Sequence, residues 1–113
     1  MNALACPFSD TEIKQELNNI LTSRFFAKAQ RLREFLVYIV ENALNGTADR
    51  LKEYTIGVEV YGREVTFDPQ TDTVVRVTAS RVRNKLKQYY DSLVCHTALH
   101  IELPARAYAP AFV

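Results

Sequence analysis

A chain of 113 residues, 48% hydrophobic and 24% charged, suits one soluble globular domain with a small core. No apolar run approaches bilayer length and the N-terminus lacks a basic segment followed by an apolar one, so neither a membrane protein nor an exported one is expected. The net charge of +1 is uninformative, but its distribution is not: residues 1–72 carry eight Lys/Arg against eleven Asp/Glu, net −3, and residues 73–113 carry six against two, net +4, which favours one face for an anionic polymer.

In chain order, Ser9 or Asp10 can cap a first helix running to about Ser23, with Ile13, Leu17, Ile20 and Leu21 at helical spacing. This helix can pack on the domain or on a second copy. Arg24-Phe25-Phe26 reads as a bend that tucks one ring inward, because adjacent aromatics cannot share a helix face. From Ala27 to Asn45, Leu32, Phe35, Leu36, Ile39, Val40, Ala43 and Leu44 mark a core helix that Gly46 stops. Lys28, Arg31 and Arg33 near its start read equally well as phosphate contacts or as plain surface. Thr47–Arg50 is expected to be a loop. Leu51 to Gly62 is ambiguous between strand and helix; it is read as a helix facing the core through Leu51, Tyr54 or Thr55, Val58 and Tyr61, with Gly57 admitting another element at close range. Arg63 to Thr71 is a loop, and Val94 to Ala98 a turn. Leu99–Leu103 alternates like a half-buried strand, Pro104–Ala107 connects, and Tyr108–Phe112 returns as an edge strand. Arg106 falls at the tip of this hairpin.

The stretch from Asp72 to Leu93 reads as one long helix, with Asp72 as N-cap and no Gly or Pro inside. Val75, Ala79, Val82, Leu86, Tyr89, Tyr90 and Leu93 form an apolar stripe, with Thr78 at its margin. The other surface carries Arg76, Ser80, Arg81, Arg83, Asn84, Lys85, Lys87 and Gln88. Five basic residues and no acid lie between Thr73 and Tyr90. Solvated helices usually mix signs, since like charges repel along a helix. The compensating anion is therefore expected from outside, and Arg, Asn, Ser and Lys are the side chains that reach base edges and phosphates. About twenty helical residues span roughly 30 Å, enough to cross a groove. Arg76, Ser80, Arg83, Asn84 and Lys87 share one face; Arg81 and Lys85 lie to the side, placed for phosphates or for acids within the fold.

Nothing in the chain points to catalysis. Cys95-His96 with His100 has a spacing that metals use, but a structural zinc takes four ligands and only the distant Cys6 is left. Neither an orienting group for a Cys–His pair nor a Gly-rich phosphate loop is present. No enzyme activity, cofactor or metal is expected. Cys6 and Cys95 make no disulfide framework, so a reduced cytoplasmic setting is expected.

Helix, helix, long helix and hairpin is the order of a winged helix-turn-helix. Ser80-Arg81-Val82-Arg83-Asn84-Lys85-Leu86 resembles the recognition-helix signature of OmpR/PhoB-type winged-helix effector domains, and Ile101–Phe112 stands in the place of their wing. A closer resemblance covers most of the chain from about residue 20 onward. Arg33–Glu41, Leu51–Arg63, Phe67-Asp68-Pro69-Gln70-Thr71-Asp72, Val74-Val75-Arg76-Val77 and Ile101-Glu102-Leu103-Pro104 look like a bacterial module found at the N-terminus of proteins that continue into TolB-like, tetratricopeptide or adenylate-cyclase-like regions. Those relatives usually carry Lys-Gly-x-Tyr in the hairpin, where this chain has Arg106 before Ala107-Tyr108.

The resemblance implies a mainly α domain with a C-terminal β-hairpin: a winged helix-turn-helix over residues 24–113, with a three-helix core, and an extra N-terminal helical extension over residues 1–23. It implies a bacterial transcriptional regulator binding double-stranded DNA, with Thr73, Arg76, Ser80, Arg81, Arg83, Asn84 and Lys87 presented to the major groove and Arg106 at the wing. A homodimer on repeated or palindromic half-sites is expected from the small footprint of one such domain and from the spare N-terminal helix. A free-standing regulator and a part of a longer polypeptide with further domains both fit. The alternative is an interaction module that docks an acidic protein partner on the same basic face.

Overall fold

The structure, a computed structural model, describes residues 7–94 and 97–113. It is mainly helical, with α1 (Asp10–Leu21), α2 (Gln30–Leu44), a single 3-10 turn (Ala48–Arg50), α3 (Glu53–Glu59) and α4 (Val74–Asp91). A small C-terminal antiparallel ribbon follows, β1 (Ile101–Glu102) paired with β2 (Ala111–Phe112), Ile101 opposite Phe112. The expectations for Cys6, Cys95 and His96 lie outside the described residues.

Local chemistry sets the helix ends. Ser9 closes a capping box at α1: its Oγ accepts from the Glu12 N–H at 3.1 Å, and the Glu12 carboxylate accepts from the Ser9 N–H at 2.8 Å. The expected helix from Ala27 starts only at Gln30, because residues 23–29 form turns that deliver Phe26 fully into the core while Phe25 stays half-buried under the Arg24 guanidinium. Gly46 ends α2 at φ 78°, as read from the sequence. Residues 48–50, expected as plain loop, make the 3-10 turn.

The apolar faces meet in one core. Ile13, Leu17 and Ile20 of α1, Phe35, Leu36, Ile39 and Val40 of α2, Val75, Ala79 and Val82 of α4, and Ile101 of β1 are all buried within it. The stripe predicted on the long helix is the buried one, although Tyr90 and Leu93 lie half-buried at its edge. The helix is shorter than the expected 72–93. Thr73 occupies the cap position without a side-chain bond, while Asp72 still accepts from the Val74 N–H at 3.1 Å. Its other oxygen takes Arg63 Nε at 2.7 Å, and that bond, with the backbone one, holds the Asp72 carboxyl below its ordinary value. Leu99, Ile101 and Leu103 are buried and Glu102 is exposed, the predicted alternation, yet β-bridges span only two residues on each side rather than 99–103 and 108–112. The reciprocal His100–Val113 backbone bonds at 2.7 and 3.0 Å extend the pairing by one step.

Helix α3 departs most from expectation. It covers seven residues, and Ile56 and Gly57 face the core, while Tyr54 is 42% exposed and Val58 half-buried. Gly57 does admit another element: a Cβ there would lie 2.3 Å from Cε2 of Phe67, a ring carried by the loop into α4. That loop returns to the same residue, the Arg63 N–H donating to the Gly57 carbonyl at 3.1 Å. Alanine is the better helix former by up to about 1 kcal/mol, but here it must displace the Phe67 ring. Gly57→Ala is expected to lower stability by about 1–2 kcal/mol in denaturant unfolding, the range of overpacking. In a Phe67→Leu background the same change should turn neutral or favourable, and a cycle without that coupling would refute the contact.

Buried phenols give the fold an alkaline limit. Tyr38, Tyr61, Tyr89, Tyr90 and Tyr108 all have hydroxyls pushed above 10.0, burial being the largest cause in each, and Tyr38 reaches about 12. The unfolded chain then releases these protons first. Their contribution to stability is therefore flat below about pH 10 and falls as pH rises toward the folded-state values. Tyrosinate absorbance should rise together with loss of helical circular dichroism; ionisation well before unfolding would contradict the burial.

Candidate nucleic-acid interface

The buried stripe of α4 fixes which of its side chains look outward. At 3.6 residues per turn, the line farthest from the core runs through Thr73, Val77, Ser80 and Asn84, all exposed and all short and uncharged. One flank of this crest carries Arg76, Arg83 and Lys87. The other carries Arg81, Lys85 and Gln88. Cations thus border a neutral ridge on both sides.

The two flanks differ in how they are held. Arg76 Nε donates to Glu53 Oε2 at 2.9 Å, and its Nη2 donates to the Pro69 carbonyl. Its charge is therefore matched within the fold, and it ties the start of α3 to the start of α4. Arg83 reaches the C-terminal ribbon instead, donating from Nε to the Pro104 carbonyl at 3.2 Å and from Nη2 to the Ala107 carbonyl at 2.9 Å. Carbonyls are neutral, so Arg83 keeps its charge while orienting the ribbon against the helix. Lys87 meets Asp91 at 3.1 Å one turn on, but both side chains are at least two-thirds exposed, so the pair contributes little. Among the described residues, no carboxylate pairs with Arg81, Lys85 or Arg106.

Arg106 stands in the turn closed by the Ala107 N–H on the Pro104 carbonyl at 3.2 Å. Its φ of 64° is the left-handed conformation that glycine adopts at no steric cost. The chain therefore holds an exposed cation in a strained backbone, beside the segment that Arg83 grips. Tyr108, half-buried, sits among Glu53, Arg76 and Arg83: burial and then the Glu53 carboxylate push its hydroxyl up, and the two arginines pull against them. Ribbon, α3 and α4 converge there.

All eight residues read from the sequence as DNA contacts lie on α4, at its cap or on the ribbon turn. Thr73, Arg76, Ser80, Arg81, Asn84, Lys87 and Arg106 are exposed and Arg83 is half-buried; Arg76 and Arg83 are also engaged within the fold. Val77, absent from that reading, joins the crest at 45% exposure. The signal for it was available, since it lies one turn from Thr73 and from Arg81.

Elsewhere the arginines near the start of α2 are engaged within the fold, whereas Lys14, Lys28 and Lys52 are exposed. Arg33 donates to the Leu21 carbonyl and Arg31 lies over the Tyr61 ring at 5.1 Å. A groove of about 470 Å³ between α2 and α3 is lined by Glu34, Glu41 and Glu59, a surface that repels phosphate. Among the described residues no three His, Cys, Asp or Glu side chains gather as a metal site, and no helix is long and apolar enough to cross a membrane. Comparison of the chain with family models, curated proteins and solved structures returned no match.

Proposed function

We propose that this domain is a winged helix-turn-helix that binds double-stranded DNA with sequence preference and regulates transcription from the cytoplasm. In this reading α3 and α4 are the helix-turn-helix, α4 lies in the major groove and the C-terminal ribbon is a wing on the flanking backbone. The observation that carries it is the neutral crest of α4 between two rows of cations. A major groove about 12 Å wide admits a helix about 10–12 Å across only if its leading side chains are short. Thr73, Val77, Ser80 and Asn84 are short, and long basic side chains on either flank are placed to reach the two phosphate rims. Further support comes from Arg83, whose bonds to the Pro104 and Ala107 carbonyls hold the wing at a set distance from the helix without cancelling its charge.

The intramolecular bonds bear on how single residues would act in this reading. In this reading Arg76, paired with Glu53, orients the two helices, rather than reading bases in the major groove. The remaining cations Arg81, Arg83, Lys85, Lys87 and Arg106 allow about five phosphate contacts, hence a log–log salt slope near −4.5. A homodimer on repeated half-sites cannot be built through the apolar face of α1, because Ile13, Leu17 and Ile20 are buried in their own core. Any such dimer uses another surface.

Fluorescence anisotropy on labelled genomic fragments between 50 and 200 mM salt tests the reading. The expected result is a complex that weakens steeply with salt and that, on some fragments, survives an excess of unrelated duplex. Failure to bind any duplex, with capture of an acidic protein by the same face, would overturn it in favour of an interaction module.

A further inference from the structure

Resting on that DNA-binding reading, we infer that Val77 sets part of the sequence preference by packing against the C5-methyl group of a thymine in the major groove. Its position is not explained by the fold. Val77, in the first turn of an 18-residue helix, is 45% exposed, whereas the other valines of that helix are buried or half-buried. Valine is also a poorer helix former than the Arg, Lys or Gln that occupy neighbouring outward positions, because its branched side chain is stiff at χ1. Neither packing nor propensity selects it. The other large apolar side chains exposed among the described residues, Tyr54, Val65, Val94 and Val113, lie outside α4.

What surrounds it decides which ligand chemistry it fits. Val77 lies on the crest, one turn from Thr73, close to Ser80 and Arg81 and two turns from Asn84. A hydrocarbon there has no donor or acceptor to offer. Set against the amino group of cytosine or adenine, or against the acceptors of guanine, it would strip water from a polar atom and return nothing. The thymine methyl is the one apolar group that the four standard bases present in the major groove, and two methyl surfaces in contact leave no polar atom unpaired. Asn84 and Ser80 on the same line can supply the hydrogen bonds to neighbouring base edges that fix the register.

The test uses the full chain and a duplex it binds, with each thymine replaced in turn by deoxyuridine, which removes only the methyl group. At one or two positions affinity should fall about fourfold, the value of burying one such carbon. Val77→Ala should bind the parent duplex about fourfold more weakly and be indifferent to deoxyuridine at those same positions. Being exposed, the substitution should leave the melting temperature within a degree or two of the parent. A parent complex indifferent to every deoxyuridine, or a Val77→Ala protein that still loses the same factor at the same positions, overturns this inference while leaving DNA binding intact. No complex with any duplex overturns both.

Discussion

Replacing Tyr90 by Phe is expected to destabilise the domain by about 3 kcal/mol. The Tyr90 hydroxyl donates to Glu16 Oε2 at 2.7 Å and accepts from the Ile101 N–H at 2.8 Å. One atom thus links α1, α4 and β1. Glu16 is only 6% exposed, and its second oxygen has just a long 3.5 Å bond from Asn19. Without the phenol, a buried carboxylate loses its main donor and a backbone N–H loses its acceptor, and each buried group left unpaired costs about 1–3 kcal/mol. The ring itself stays, with its stack on His100 at 4.1 Å, so packing changes little. Thermal unfolding should shift down by about 10 °C or more. Glu16→Gln, which keeps an acceptor for the phenol, should cost much less. Equal losses for both variants would mean that the carboxylate, not the hydroxyl bridge, is the critical group.

This network also marks where the sequence stops being informative. The 3.6-residue period of α2 and α4 identified the buried stripes of both helices, because helices of 15 and 18 residues repeat the pattern four or five times. α3 has seven residues, fewer than two turns, so although Leu51 just before it is buried as expected, Tyr54 and Val58 suggested a face that Ile56 occupies instead. Gly57 announced a close approach, but that the visitor is Phe67 depends on how a loop closes. The site divides in the same way. Ridge and basic flanks follow from helical geometry and could be read in advance. The engagement of Arg76 by Glu53 joins residues 23 apart, and that of Arg83 by Pro104 and Ala107 spans 21 and 24. Such pairings depend on tertiary docking that no local pattern encodes, and they tie two of the expected DNA contacts to other parts of the fold.

Under the proposed function, three substitutions on α4 are expected to separate base reading, phosphate binding and wing support. Asn84→Ala removes an exposed crest amide, and an Asn that makes a bidentate pair with N6 and N7 of adenine is worth about 1–3 kcal/mol of discrimination. Affinity for the preferred duplex should drop about tenfold or more while affinity for unrelated duplex holds. Arg81→Ala removes a flank cation with no carboxylate partner among the described residues; every duplex should weaken by a similar factor, and the salt slope should shrink by about one. Lys87→Ala, whose partner among the described residues is the exposed Asp91, should behave likewise. Arg83→Ala differs from both, because it releases the Pro104 and Ala107 carbonyls as well as a charge. It should lose preference and affinity together, and the amides of residues 105–107 should exchange faster in the free protein. That last readout needs no DNA, so it tests the strut even if the groove assignment fails. Unchanged exchange would instead return Arg83 to the role of a plain contact residue, its ribbon bonds surrendered whenever a phosphate or a guanine is offered.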